Sequence, residues 1–141
     1  MLEKYALWKV VNILATSDNE YSVREMARAA NIGPGTSKQC LDYLNKNSLL
    51  KKRVIGNLYQ YSLDQSNPVA RQIRNSVIIS SVLNEAKKKS IKAYLCSNDD
   101  ETIIIIVGEG EIKSSEVKKL HLTESHFESV RKNYKDVITI N

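Results

Sequence analysis

The stretch from Ser22 to Leu50 constrains the fold most, because two short helical patterns meet there at a tight turn. Ser22 is a favourable N-cap for the first of these helices, since its hydroxyl can accept a hydrogen bond from an unpaired amide of the first turn. Glu25 stands three residues later and completes a capping box. Asn31 follows the apolar positions of this helix, and asparagine tolerates the left-handed conformation in which many helices end. These residues predict a short helix between Ser22 and Asn31.

A second helix is predicted from Pro34 to about Lys46. Proline is favourable at the first helical position, where its missing N–H removes no hydrogen bond. Cys40, Leu41 and Leu44 form an apolar stripe that would face inward. Hydroxyl, amide and cationic side chains on an exposed helix can reach the base edges and phosphates of nucleic acid. Side chains of these types lie on the outward face of the helix or on its flanks, together with one carboxylate and one aromatic ring. They are Thr36, Lys38, Gln39, Asp42 and Tyr43.

Further elements are predicted on either side of this helical pair. Leu2–Thr16 has apolar residues at helical spacing and predicts a helix before the pair. Leu49–Asp64 predicts a β-hairpin after it, since two β-rich runs flank Gly56 and Asn57, which we expect to supply positive φ angles. On the second run, alternate side chains would pack on the helices: Tyr59, Tyr61 and Leu63.

Three consecutive cations, Lys51, Lys52 and Arg53, lie on the first strand of this hairpin or at its tip. Beside a helix that binds nucleic acid, they could reach the phosphates next to the groove. The alternative is a solvated strand edge, whose charge only discourages pairing with another chain. We expect phosphate contact, because the cations follow directly after the exposed helix.

The order of helix, tight turn, helix and hairpin resembles the winged helix-turn-helix transcription regulators, the group that holds the ArsR- and MarR-type repressors. The resemblance covers roughly the first half of the chain. It implies a recognition helix, the second of the motif, in the major groove of double-stranded DNA. The chain departs from the family at Ser37, where an aliphatic residue is usual, and at Asn47 and Ser48, where Leu-Gly is common. The candidate DNA-contacting residues are Ser22, Pro34, Thr36, Ser37, Lys38, Gln39, Tyr43, Lys51, Lys52, Arg53 and Asn57.

The formal net charge of +5 is unevenly distributed along the chain. Residues 1–66 hold nine Lys and Arg against six Asp and Glu, a net +3, and residues 67–90 hold five against one, a net +4. Residues 91–141 hold seven against nine, a net −2. A basic first part with a mildly acidic tail suits nucleic-acid binding at one end of the chain. The alternative is that these charges only form the ordinary solvated surface of the protein.

Pro68 opens a long helix that is predicted to end near Lys89. Its apolar positions cover so much of the circumference that two faces must be buried. One face would cover the protein's own domains and the other a second copy of the chain, as the winged-helix resemblance also implies. The alternative is a linker helix buried within one chain. The candidate dimer interface is Val69, Ile73, Val77, Ile78 and Val82.

From Ile91 onward the pattern is that of a small α/β module. Residues 91–97 and 102–110 predict two strands joined by a turn, and the second contains a continuous β-branched run typical of a strand buried on both faces. Residues 117–122 are ambiguous. Thr123 would cap a helix that runs to about Asn133, and residues 136–140 predict a last strand.

The order of elements in this module is weakly similar to the core of a minimal nucleotidyltransferase. In that family a Gly-Ser pair ends the first strand, and paired carboxylates on the next strand hold Mg²⁺. Here Cys96-Ser97 stands in place of the Gly-Ser pair. The paired carboxylates would fall near residues 101–103, where one of the two metal-binding positions is apolar. Asp99 and Asp100 cannot replace it, because neighbouring residues on a turn diverge. The similarity therefore implies a module that has lost catalysis.

We expect no metal, cofactor or catalytic residue elsewhere in the chain. His121 and His126 lack the paired Cys or His residues of a zinc site and are expected at the surface or at a helix cap. Residues 108–110 form a turn without the Lys-Ser/Thr of a phosphate-binding loop.

These features predict an α+β protein with a winged helix-turn-helix domain at 1–66, a connecting and dimerisation helix at 67–90 and a small α/β module at 91–141. Since no apolar run reaches the ~18 residues of a membrane span, we expect a cytoplasmic protein. The expected function is that of a sequence-specific DNA-binding transcription regulator, acting as a homodimer and not as an enzyme. One alternative is a winged helix used for protein–protein contact in a larger assembly, and another is a catalytically inactive nucleotidyltransferase-like accessory protein. An unknown ligand or protein could bind the C-terminal module.

Overall fold

The computed structural model describes residues 2–99, 101–115 and 117–141, and for residues 2–4 the backbone alone. Its fold class is α+β, as the sequence predicts. The chain divides into two compact units, residues 1–74 and 75–141, which we describe separately. Among the described helices, none combines the length and the apolar character that crossing a lipid bilayer requires.

Unit 1 begins with three helices, α1 (Leu2–Thr16), α2 (Val23–Ala30) and α3 (Pro34–Lys46). The predicted capping box before α2 is confirmed. The Ser22 hydroxyl accepts from the Glu25 amide at 3.2 Å, and the Glu25 carboxylate accepts from the Ser22 amide at 3.0 Å. The predicted left-handed residue after α2 is also confirmed, since Asn31 has φ 53° and ψ 52°. Local capping therefore sets both ends of α2.

The apolar stripes of the three helices pack on one another. Val10, Leu14, Met26 and Leu41 are each at most 1% exposed. Ser37 is also fully buried, and its hydroxyl donates to the Val23 carbonyl at 2.8 Å. Because that polar group is satisfied, a serine is tolerated at this core position.

The turn after α3 contains a non-glycine residue in the left-handed conformation. Ser48 has φ 62°, the left-handed conformation that a glycine adopts most readily. Its carbonyl accepts a hydrogen bond from the Asn67 side-chain amide at 2.7 Å. Serine therefore occupies a strained backbone position, and part of the turn is held by a residue far along the chain.

A hairpin of β1 (Leu50–Ile55) and β2 (Leu58–Leu63) follows. Of its two turn residues Gly56 alone has a positive φ, 60°, which corrects our expectation for Asn57 and is the pattern of a type II′ turn. Tyr61 is buried and exchanges backbone hydrogen bonds with Tyr21 at 2.8 and 2.9 Å, so the hairpin is attached at the entry to α2. Tyr59, which we expected to pack on the helices, is 49% exposed.

Helix α4 (Pro68–Lys88) begins in unit 1 and continues in unit 2. Asn67 caps it, with its side-chain oxygen accepting from the Val69 amide at 2.8 Å and the Ala70 amide at 3.3 Å. Ile78 and Val82 lie in the core of unit 2. That packing matches the alternative in which the helix is buried within one chain.

Unit 2 contains a four-stranded sheet of β3 (Lys92–Ser97), β4 (Thr102–Val107), β5 (Lys119–Leu122) and β6 (Asp136–Thr139). The strand order is β5-β4-β3-β6, with β4 and β5 parallel and the other pairs antiparallel. The segment that was ambiguous in the sequence is thus the edge strand β5. The predicted last helix is divided into α5 (Glu124–Val130) and a 3₁₀ turn at Arg131–Asn133.

Both faces of this sheet are covered, which accounts for the continuous β-branched run of β4. Successive side chains of a strand point to opposite faces. Ile104 and Ile106 pack in one core with Val82 of α4, whereas Ile103 and Ile105 pack in a second core with Phe127 of α5: the four isoleucines are each at most 3% exposed. Unit 2 is therefore a helix–sheet–helix sandwich.

Candidate nucleic-acid interface

Helix α3 presents the polar face that the sequence predicts. Its inward residues Cys40, Leu41 and Leu44 are buried, whereas Lys38 and Gln39 are exposed. Tyr43 is exposed, Thr36 is half-buried, and Pro34 is exposed at the start of the helix. The packing of α3 on α1 and α2 therefore fixes which side chains can meet a ligand.

An acidic neighbour restrains the cation on this face. The Lys38 ammonium donates to the Asp42 carboxylate at 2.6 Å, one helical turn away. This hydrogen bond and the charge of Asp42 raise the pKa of Lys38 above its ordinary value of 10.5. Lys38 remains charged at neutral pH, but a phosphate or base would have to replace Asp42 as its partner. Gln39 is exposed and neutral, so it needs no carboxylate partner and is the better placed of the two for a base edge.

Two of the candidate DNA-contacting residues are not available to a ligand. Ser37 is fully buried, and its hydroxyl is engaged by α2. Ser22 is 7% exposed, and its hydroxyl is engaged in the capping box. We therefore remove both serines from the candidate interface, because their polar atoms already serve the fold.

The three hairpin cations all lie on β1 and are exposed, but their surroundings differ. The Lys52 ammonium lies 4.0 Å from the centre of the Tyr59 ring. Arg53 donates two hydrogen bonds to one carboxylate oxygen of Glu20, at 2.6 and 2.9 Å. Since that pair offsets the charge of Arg53, Lys51 and Lys52 carry more of the uncompensated charge. Asn57 is exposed in the turn at the hairpin tip.

Sequence reasoning missed two further cations in this unit. Arg24 and Arg28 are exposed one turn apart on α2. They border a shallow depression of about 540 Å³ whose remaining lining is Ala27, Asn31, Ile32 and Pro34. The two arginines are four residues apart and lie opposite the buried stripe of α2, and this pattern in the sequence indicates an exposed cationic face. They place positive charge next to the first turn of α3.

The predicted dimer residues are mostly covered by the chain itself. Val77, Ile78 and Val82 are 6%, 1% and 0% exposed. A side chain that its own chain already covers offers little surface to a second copy, so these three leave the candidate interface. Val69, at 59% exposed, and the half-buried Ile73 remain accessible.

The residues that the transferase similarity singles out in the C-terminal module are buried or paired. Cys96 and Ser97 are fully buried, and burial raises the pKa of the Cys96 thiol to about 11. Glu101 accepts from the Tyr134 hydroxyl at 2.9 Å, and Asp99 pairs with Lys135 at 2.7 Å. Asp100 lies outside the described residues. No three metal-binding side chains come together in the part of the chain that the structure describes.

The two histidines of this module have the structural surroundings that we expected. His121 is exposed and contacts the Gly110 carbonyl through Nε2 at 2.9 Å. The amide of His126 donates to the capping hydroxyl of Thr123 at 3.4 Å, and its ring Nδ1 lies 3.0 Å from the same oxygen. Both rings therefore have local hydrogen-bonding roles.

Comparison with protein-family models, with curated proteins and with solved structures found no match to this chain. The function must therefore be inferred from the exposed side chains themselves. Within the described residues, the polar face of α3 and the cations of α2 and β1 belong to one unit. We take these side chains together as the candidate nucleic-acid interface.

Proposed function

We propose that unit 1 is a winged helix-turn-helix domain and that the protein is a sequence-specific, double-stranded DNA-binding transcription regulator. The observation that carries this proposal is the exposed polar face of α3 in the same unit as the cationic strand β1. An α-helix with its side chains is about 10–12 Å in diameter, so α3, with 13 residues, fits the major groove, which is about 12 Å wide. In this arrangement α3 is the recognition helix and the hairpin is the wing.

The side chains of α3 suit base readout. A glutamine can form two hydrogen bonds with N6 and N7 of adenine, and a lysine can donate to O6 and N7 of guanine. Gln39 and Lys38 hold these roles in our proposal, with Thr36 and Tyr43 at the flanks. Lys51, Lys52 and Arg53 then contact phosphates beside the groove, and so do Arg24 and Arg28. Phosphate contacts fix the position of the protein, while base contacts select the sequence.

The test of base readout is the Gln39→Ala variant. On a duplex obtained by selection, it should lose preference at one or two base positions, worth about 1–3 kcal/mol, because one bidentate contact is removed. Binding to unrelated duplexes should stay nearly unchanged. Fluorescence anisotropy against a panel of single-base substitutions measures both quantities.

Gln72→Ala is the matched control, since Gln72 is exposed on a helix outside the proposed interface. It should bind every duplex of the panel as the natural protein does. Uniform weakening of Gln39→Ala on all sequences would instead assign that side chain to the DNA backbone and contradict its role in readout.

We also propose a homodimer, because one recognition helix covers few base pairs and two read half-sites about 34 Å apart. The support in unit 1 is a set of exposed apolar side chains, Tyr5, Trp8 and Val69, each 57% exposed or more. Light scattering at low micromolar concentration should report twice the 16.0 kDa chain mass. Because Val69 is exposed, Val69→Asp should shift that mass toward the monomer without unfolding the protein. A natural protein that shows only 16.0 kDa would refute the dimer.

A further inference from the structure

The end of the β1–β2 hairpin carries four large apolar side chains that the folded unit leaves in solvent. Val54, Ile55, Leu58 and Tyr59, which we call the apolar tip, are 63%, 48%, 58% and 49% exposed. They form two cross-strand pairs next to the turn, Val54 with Tyr59 and Ile55 with Leu58. Because neighbouring pairs of a hairpin point to opposite faces, the tip is apolar on both faces. Clustered apolar side chains on a surface indicate a site of interaction.

The two-sided character of the apolar tip restricts what can cover it. A folded surface that packs on one face of a two-stranded ribbon leaves the other face in water, whereas a fluid lipid layer closes around an inserted group from all sides. Apolar side chains of proteins that lie on a membrane enter about 5–10 Å into the boundary between headgroups and acyl chains. The two pairs of the tip extend about 7 Å along the strands, at roughly 3.4 Å per residue, and match that depth.

Cations lie directly behind the apolar tip on both faces. Lys52 is two residues before Val54 and shares its face, while Arg53 has the same relation to Ile55. Arg53 already pairs with Glu20 at 2.6 Å, so the uncompensated charge comes mainly from Lys51 and Lys52. With the tip inserted, these ammonium groups would lie at the level of the headgroups. Each cation near an anionic membrane surface strengthens binding about fivefold.

We propose that this hairpin binds the surface of an anionic lipid bilayer, with the apolar tip in the interfacial layer and Lys51 and Lys52 against the headgroup phosphates. Gly56 and Asn57 form the exposed turn between the two strands. Their polar groups require hydrogen bonds, which the hydrocarbon core does not offer, so insertion stops where water is still present. The resulting attachment is peripheral and reversible. This inference goes beyond the proposed function and does not depend on DNA binding.

The experiment measures co-sedimentation of the protein with vesicles, either of phosphatidylcholine alone or of phosphatidylcholine mixed with phosphatidylserine. The natural protein should bind the mixed vesicles and bind the neutral ones far more weakly. The double variant Ile55→Thr with Leu58→Thr keeps the strand propensity but removes two apolar carbons at each position. Each fully buried carbon contributes about fourfold to binding, and these side chains are about half exposed before insertion, so the variant should bind at least tenfold more weakly.

Two matched controls assign the effect to the hairpin. Leu120→Thr makes the same kind of replacement at an exposed leucine of strand β5 and should bind the mixed vesicles as the natural protein does. Replacing Lys51 and Lys52 with alanine should weaken that binding by up to about 25-fold, because two contributions of about fivefold are lost. The same replacement at Lys87 and Lys88, an exposed pair on α4, should change it little.

The outcomes separate this inference from the proposed function. Failure of the natural protein to bind the mixed vesicles would overturn the inference, whatever its behaviour with DNA. Equal vesicle binding by the natural protein and the Ile55/Leu58 variant, or an equal loss in Leu120→Thr, would also overturn it. Vesicle binding that is lost in the hairpin variant alone would support it, even if no duplex were bound. Thermal unfolding should show every variant folded, since the replaced side chains are exposed.

Discussion

Replacing Lys51 and Lys52 with alanine should reduce the salt dependence of DNA binding by a calculable amount. Each neutralised phosphate contributes about 0.9 to the slope of log K against log salt concentration, so loss of two cations should lower that slope by up to about 1.8. Between 50 and 200 mM salt, the ratio of natural to variant affinity should then fall about 12-fold. Adding Arg53→Ala should lower the slope by less than a further 0.9, because Arg53 already pairs with Glu20 at 2.6 Å.

Fluorescence anisotropy titrations at five or more salt concentrations provide the slopes. Lys87 and Lys88 form a second exposed lysine pair, at the end of α4, and their double alanine variant removes the same charge. That control should change the slope little, since its lysines lie outside the proposed interface. Equal slopes for the natural protein and the Lys51/Lys52 variant would refute the phosphate contact. The hairpin cations would then form only a solvated strand edge.

Two further predictions concern the stability of unit 2. Gly110→Ala should destabilise the protein by about 2–5 kcal/mol, since φ is 121° and the added Cβ would lie 2.7 Å from a buried carbon of Ile91. Gly108→Ala should destabilise the protein by only about 1–2 kcal/mol, because φ is 88° but the added Cβ would meet open space. Chemical denaturation measures both losses, and equal losses for the two variants would exclude a clash with Ile91 as the cause. Glu85 accepts from Lys89 at 2.8 Å and from the amides of the loop at 113–114, which together lower its pKa from 4.5 to about 2. Its contribution is complete above pH 4.5 and is lost as the pH falls toward 2, so Glu85→Gln should flatten the pH dependence of the melting temperature in that window. An unchanged dependence would contradict the role of this carboxylate.

The sequence predicts elements well where one residue sets an end of an element. Ser22, Asn31 and Pro34 each act within one turn of a helix, so their effects are readable without knowledge of distant parts of the chain. The turn at Gly56 was predicted in position but not in type, because the φ angle of Asn57 depends on the pairing of both strands.

Distant contacts explain what the sequence could not predict. The apolar periodicity of α4 shows that Ile78 and Val82 must be buried, but it does not distinguish a sheet of the same chain from a second copy. The pairing of Arg53 with Glu20 joins residues 33 positions apart and changes the charge available at the candidate site. Ser37 had the residue type of a DNA contact, and only its packing against α2 shows that its hydroxyl is engaged.

Selection of bound duplexes from a random-sequence pool, repeated at several salt concentrations, tests the proposed function most directly. A sequence-specific regulator should enrich one motif, and the motif should sharpen as salt weakens the non-specific phosphate contacts. If the protein is a dimer, the motif should contain two related half-sites about one helical turn apart. Recovered sequences that match the input pool at every salt concentration would contradict the proposal, whether or not the protein binds DNA through charge alone.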